Sequence, residues 1–497
     1  MLHIRVIKTK GNSRSVQVFR YRNGKRVIIK HIGSGTSDES IGALEAMARV
    51  FIADYTKQSY LFEESKPREE SVLLSQCEYI GVYFTYLYDV IRAVQHQIGY
   101  ALDLDELLND LVVMRVLEPA SKLRSIELMD TYFGIKHRRQ RYYEAARKWL
   151  GLKEIIEKQT LGFAKKQYGF DFSLLFYDVT TLYFETFTED ELRKNGFSKD
   201  NKSQQPQILV ALMVTAEGFP VSIEVFPGNT FEGHTLIPVI KTFIEKHRVE
   251  HFTVVADAAM ISANNVAALR EEKINYIVGA RLGNVSADLL ATIDATLPRT
   301  DGSIIRLKTE NGYLICSFSK KRHNKDKYEM EKQIDRAKML LRQPSKVKKV
   351  KYLKSDDSRM ALNEKLIEKT SKLLGIKGYY TDLEEAVADN GTIISRYHDL
   401  YKVEQAFRVS KNDLQTRPVF HFKQEPIQLH VLICFMALAI SKHIELSAPI
   451  SIRAFVTHCK RVTDARLLNK ITKNEIKMRA PVPTHLKEIV TKILRPH

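Results

Sequence analysis

"LLFYDVTTLYFET", Leu174 to Thr186, is the stretch on which the reading of this chain turns. Leu174, Leu175, Phe176 and Tyr177 read as a strand buried on both faces, and Asp178 follows at once, with Thr180 and Thr181 behind it. Burying an ionised carboxylate without a partner costs several kcal/mol or shifts its pKa instead. An Asp at the mouth of such a strand therefore has a partner to find. The commonest partners are local, a helix N-terminus or a turn amide; a cation is the functional one.

Working outward, the pattern from Phe170 predicts strands at 171–178, 206–215 and 219–226, the last two joined at Glu217-Gly218. A helix near 235–247, a strand at 252–257, a helix at 262–271 and a strand at 274–280 follow. Strands that alternate with helices imply a partly parallel sheet with covered faces. The expected fold class is α/β: a mixed sheet in two parts, 169–283 and 386–422, around an inserted domain at 284–385. The insertion holds short alternating segments such as "GYLICSFSK" and a basic stretch starting at Lys320, which reads either as a DNA-facing ridge or as a solvated helix surface.

The flanks differ. Residues 1–37 alternate around the turn signals at Gly11 and at Asn23-Gly24, and read as a small basic β-meander. Residues 38–168 carry apolar positions at three and four spacing, broken at Glu118-Pro119. They form either a helix-turn-helix type DNA reader or a helical bundle with a solvated basic face. Residues 423–497 read as a helical tail. Its run from Ile427 to Ile440 is too short to span a bilayer and reads as a buried core helix.

The 497 residues are 44% hydrophobic and 27% charged, ordinary for a globular protein, but the net charge is +18. Such an excess speaks to partners, and nucleic acid is the leading one, because phosphates reward Lys and Arg by counterion release. Four widely spaced cysteines, Cys77, Cys316, Cys434 and Cys459, argue against a zinc ribbon and a disulfide framework. The N-terminus has no apolar signal segment, so the expected location is cytoplasmic, on DNA, with no membrane partner.

A second strand ends like the first. "HFTVVADAAMIS" runs apolar from Phe252 to Ala256 and then reaches Asp257. Ligand sites in parallel sheets lie outside the carboxyl ends of strands, so two such ends bring two carboxylates together. Like charges repel unless a cation neutralises them, and oxygen-only ligands point to Mg²⁺ or Mn²⁺. A third acid is expected from "IISRYHDLYKVEQAFRVSKNDL": Tyr397, Glu404 and Lys411 are seven apart and share a helical stripe, with Arg408 beside it. Leu400, Val403, Phe407 and Leu414 form the adjacent apolar face.

These residues carry a family resemblance. The chain resembles the DDE transposases of bacterial insertion sequences, whose core is ribonuclease-H-like, and within them the insertion-sequence-four-like branch. "YDVTTLYFE" is similar to that group's first Asp motif, "VVADAAMISANNVAAL" to its second, and "GYYTDLEEAVADNGTIISRYHDLYKVEQAFRVSKNDLQTRPVFH" to its Glu motif. The resemblance implies that Asp178, Asp257 and Glu404 hold two Mg²⁺ or Mn²⁺ ions and are catalytic. It implies that Tyr397 and Lys411 contact DNA phosphates, with Arg408 as a further DNA contact. It also implies terminal inverted repeats and target DNA as partners, and a homodimer on paired ends. The signature's Arg position is Leu400 here, and the single Trp, Trp149, lies outside the insertion. A metal-dependent nuclease that cuts without joining, or a catalytically silent DNA-binding relative, shares the same motifs. A glycosidase also pairs carboxylates, but the basic charge disfavours it.

Overall fold

Hairpins build the N-terminal part. β1 (His3–Lys8), β2 (Arg14–Arg22) and β3 (Lys25–Gly35) pair antiparallel in that order. Gly24 turns the chain between β2 and β3 at a φ of 70°, a conformation glycine adopts without strain. Val16 and Val18 of the sheet are buried against Ile41 and Ala48 of α1 (Asp38–Thr56). The computed structural model describes residues 2–9, 13–22, 24–56, 77–100, 105–197, 204–249, 252–260, 262–310, 312–342, 350–356, 359–419, 421–470 and 473–495. The chain divides into two compact units, Met1–Gln76 and Cys77–His497.

The second unit opens with β4 (Cys77–Tyr83), α2 (Thr85–Ile98), α3 (Glu106–Leu117), α4 (Lys122–Phe133), α5 (Arg139–Leu150) and α6 (Lys153–Tyr168). Asp105 caps α3 by accepting from the Leu107 amide, and Ser121 caps α4 by accepting from the Arg124 amide, with Pro119 in the break between them. Every residue of α3 from Leu107 to Leu117 is buried. α3 is thus the axis of a helical bundle, and α5 is its basic surface, with Arg139, Arg141, Arg147 and Lys148 exposed. That arrangement favours the bundle over the helix-turn-helix reading.

The sheet follows: β5 (Leu174–Tyr183), β6 (Gln207–Val214), β7 (Pro220–Pro227), α7 (Leu236–His247), β8 (Thr253–Ala256), α8 (Ala263–Glu271) and β9 (Asn275–Ala280). Next come α9 (Ala287–Thr296), β10 (Ile304–Thr309), β11 (Gly312–Phe318), α10 (Lys320–Arg342), β12 (Leu353–Asp356), β13 (Arg359–Leu362), α11 (Glu364–Lys372) and β14 (Ile376–Thr381). Eight strands form one sheet in the order β10-β11-β14-β9-β8-β5-β6-β7, with β5, β8 and β9 parallel and the other pairs antiparallel. The fold is α/β, built on one mixed sheet. The segment 284–385 adds three strands, β10, β11 and β14, to one edge of that sheet.

The chain closes with α12 (Asn390–His398), α13 (Tyr401–Arg408), a π-helical turn (Val409–Asp413), α14 (Gln424–Ser447), α15 (Ile452–Lys460), β15 (Asp464–Asn469), β16 (Glu475–Arg479) and α16 (Thr484–Leu494). α14 is long and apolar enough to cross a membrane by length and composition alone, but 94% of its apolar window is buried inside the protein, against α3 and α5 among others. The helical flanks also share a small sheet, β16-β15-β4, that the periodicity of the sequence did not reveal. Asp464, fully buried in it, is held by Arg479 at 2.7 Å and Lys477 at 3.1 Å.

Candidate active site

Strand alternation explains how Asp178 sits in apolar sequence. Successive side chains leave a strand on opposite faces. The Tyr177 hydroxyl donates to Thr235 Oγ1 at 2.7 Å on the face covered by α7. Asp178 leaves on the other face, over which α13 packs. The expected end of the strand is corrected here: β5 continues to Tyr183, paired with β6, so Asp178 is in mid-strand. What ends is its other neighbour. The parallel register stops at Tyr177 opposite Ala256, and β8 gives way to Asp257. Asp178 and Asp257 therefore follow paired residues on adjacent strands, about 5 Å apart in the hydrogen-bonding direction. The missing ladder beyond Ala256 opens the cleft.

Glu404 arrives on α13. Val403, Ala406 and Phe407 bury one face of this helix, leaving Glu404 exposed. Lys402 pins the helix to the β6–β7 turn by donating from Nζ to the Ala216 carbonyl at 2.7 Å. One open cleft of about 440 Å³ is lined by Asp178, Asp257 and Glu404, with Thr180, Leu400, Phe407, Arg408, Lys411, Asn412 and Arg417. Three acids from distant stretches thus share a cavity whose rim carries three cations. Among the described residues, no group of three His, Cys, Asp or Glu side chains is close enough to hold a metal ion as it stands. With only carboxylates and no thiol or imidazole lining the cleft, the donor set fits a hard divalent cation.

The stripe expected on one helix is corrected in two respects. The helix breaks at Asp399-Leu400, between α12 and α13, and widens to a π turn at Val409–Asp413. Glu404, Arg408 and Lys411 still line the same cleft. Tyr397 does not: it is 8% exposed, and its hydroxyl donates to Asp257 Oδ1 at 3.0 Å. Burial and the Asp257 charge both push its pKa up, so it stays a donor. The structure gives it a place behind the acid.

Two residues escaped the sequence reading. Arg417 lines the cleft but belongs to no spacing rule. Lys377, on β14, is half-buried with Nζ 4.7 Å from the Tyr397 ring centroid. Burial lowers its pKa, reinforced by Arg322 and opposed by Asp257 and Glu404. Only the order of the sheet, which puts β14 beside β9, brings it to the site.

The model of the Transposase DDE domain family matches residues 169–440. The chain belongs to this family. The matched span of this DDE transposase starts just before β5 and ends inside α14, so it holds all three acids of the cleft. No curated protein matches the chain. Among solved structures, the transposase is similar to the piggyBac transposase synaptic complex with hairpin DNA, at 10% identity and a TM-score of 0.34, over 83% of this chain and 70% of that one. It is also similar to the Mos1 transposase paired-end complex with left transposon end, at 10% identity and a TM-score of 0.16, over 47% of this chain and 66% of that one.

Proposed function

We propose that the transposase cleaves DNA at the ends of a mobile element and joins the freed 3′-hydroxyl to target DNA, with Asp178, Asp257 and Glu404 as the catalytic carboxylates. One observation carries the reading: these three acids, at distant places in the chain, line a single cleft rimmed by Arg408, Lys411 and Arg417. The order of the three motifs supports placing the chain in the insertion-sequence-four-like branch.

The chain's own residues supply positioning and charge. Asp178 is fixed in mid-strand by its pairing with Leu212 of β6, and Tyr397 holds Asp257 in one orientation by its hydrogen bond. Arg408, Lys411 and Arg417 meet the phosphates flanking the scissile bond and balance charge that develops on phosphoryl oxygens. Asp178, Asp257 and Glu404 would hold Mg²⁺ or Mn²⁺, which would activate the attacking water or 3′-hydroxyl and stabilise the leaving oxygen. No covalent protein intermediate is required. Lys377 and the rim cations also limit the repulsion among the acids. DNA ends bearing inverted repeats and a second copy of the chain complete the proposed assembly.

The test is Asp178→Ala, Asp257→Ala and Glu404→Ala in a Mg²⁺-dependent cleavage assay on an end-bearing duplex. Each variant is expected to fold and bind the duplex but lose cleavage; a variant that cuts at the wild-type rate removes its residue from the site. A strand-transfer assay with precleaved ends separates this reading from a nuclease, since cleavage without joining favours the latter.

A further inference from the structure

A second cavity, of about 230 Å³, has a wall unusual in its charge. Arg115, Lys122, His421 and His430 line it together with Tyr142 and Tyr143. Arg115, Lys122 and His430 are each 4% exposed. None of the residues lining it is an Asp or Glu. Buried cations are ordinarily paired with acids, because desolvating a lone charge is costly. Among the described residues, no acid stands in this wall.

The local hydrogen bonds leave capacity for one. His430 Nε2 lies 2.8 Å from the Thr416 carbonyl, so that nitrogen donates and Nδ1 accepts. Lys122 Nζ lies 2.7 Å from that Nδ1 and donates to it, which uses one of three ammonium donors. Arg115 is steadied by the Ala120 carbonyl at 2.8 Å. The Tyr142 side chain is 2% exposed, and its hydroxyl has no hydrogen-bond partner among the described residues. An unmade hydrogen bond at a buried hydroxyl costs about 1–3 kcal/mol. Burial and Arg115 hold Lys122 well below its usual range, and burial with Lys122 and Arg115 depresses His421 and His430. An anion would relieve each of these costs at once.

We propose that this cavity is a phosphate-binding site, taking one phosphate of a DNA strand that runs from the carboxylate cleft. Tyr142 supplies a neutral donor, Lys122 and Arg115 the charge, and His430 orients Lys122. The volume corresponds to about eight water molecules of the bulk liquid, room for a phosphate group and its attached atoms. The path is short. Arg417 lines the cleft, while Gln415 and Pro418, on either side of it in the chain, line the cavity. One short segment of chain therefore separates the two sites. The identity of the phosphate as a strand phosphate rests on the proposed DNA-cleaving function; the affinity for phosphate does not.

The experiment follows thermal unfolding of the full chain as inorganic phosphate replaces chloride at constant ionic strength. Phosphate is expected to raise the midpoint of the wild type and of Asp178→Ala, and to leave Lys122→Met unmoved. Tyr142→Phe removes only the unpartnered hydroxyl, so it folds as the wild type and binds phosphate about tenfold more weakly. Equal effects of phosphate and chloride on the wild type, or equal phosphate effects on all variants, overturn the site. In a second arm, affinity for an end-bearing duplex is measured against salt. Lys122→Met is expected to reduce the slope of log K on log salt by about 0.9, the loss of one phosphate contact. An unchanged slope with a lost phosphate response overturns the strand as the source and leaves free phosphate. If the wild type neither cleaves nor joins an end-bearing duplex while the phosphate response still depends on Lys122, the DNA-cleaving function fails and the cavity's affinity stands.

Discussion

Tyr397 reaches Asp257 only because β9 leaves room for it. A Cβ at Gly279 would run into the Tyr397 hydroxyl, and would lie 3.1 Å from the Ala258 Cβ. The ring is then wedged by Tyr379, edge-on at a centroid distance of 4.9 Å. Two substitutions separate the parts of this arrangement. Tyr397→Phe keeps the ring and deletes the donor; a hydrogen bond to a carboxylate is worth about 1.5–3 kcal/mol, so cleavage is expected to fall about tenfold to a hundredfold. Single-turnover rates at saturating duplex check this, with unfolding by urea showing little change. Gly279→Ala overpacks the same spot and is expected to cost about 1–3 kcal/mol of stability as well as activity. If Tyr397→Phe cleaves at the wild-type rate, the orientation of Asp257 does not depend on that hydroxyl.

At the scale of elements, α13 carries Glu404 at a position fixed by its buried side. Val403 is fully buried at the centre of that face. Val403→Thr keeps the shape and adds a hydroxyl with nothing in the apolar face to satisfy it, at about 1–3 kcal/mol. Because α13 is seated on β5 and β6, we expect cleavage to drop more than duplex affinity does, as measured by single-turnover kinetics and fluorescence anisotropy. The apolar face Leu400, Val403, Phe407 and Leu414 was legible from spacing alone, and all four are buried. So were β6, β7, β8 and β9, to within about two residues, because short apolar runs between turn signals leave little choice. The small sheet β16-β15-β4 was not, since it joins strands from opposite ends of the second unit, and no local pattern records that pairing. The break at Leu400 was missed for a related reason. Seven-residue spacing is blind to a change of helical path, and Tyr397 reached Asp257 by such a change. Lys377 comes near the acids through sheet order and Arg417 reaches the cleft through a loop path, neither of which leaves a spacing rule behind.

At the scale of the molecule, the excess of positive charge is partly enclosed, and this predicts how the protein meets acid. His421 is held at a pKa of about 4, against 6.5 for a free histidine, by burial and by the charges of Lys122 and Arg115. In the unfolded chain it protonates as pH falls below 6.5, while in the fold it stays neutral until about 4. Its neutral form thus contributes stability that is whole above pH 6.5 and drains away as pH falls through that window. His430, depressed in the same direction, adds to the loss. For His421 alone the shift corresponds to about 3 kcal/mol by pH 4. Carboxylates such as Glu118, whose pKa is lowered, also give up stability in acid, so the wild-type curve mixes several groups. The informative quantity is the difference between wild type and His421→Gln, followed by urea unfolding from about pH 7 down to about pH 4.5. The variant is expected to lose less stability than the wild type over that range, with the two curves converging as pH falls. Parallel curves would mean that His421 is accessible enough to protonate in the folded chain, and that the cavity wall it helps to build is open to water.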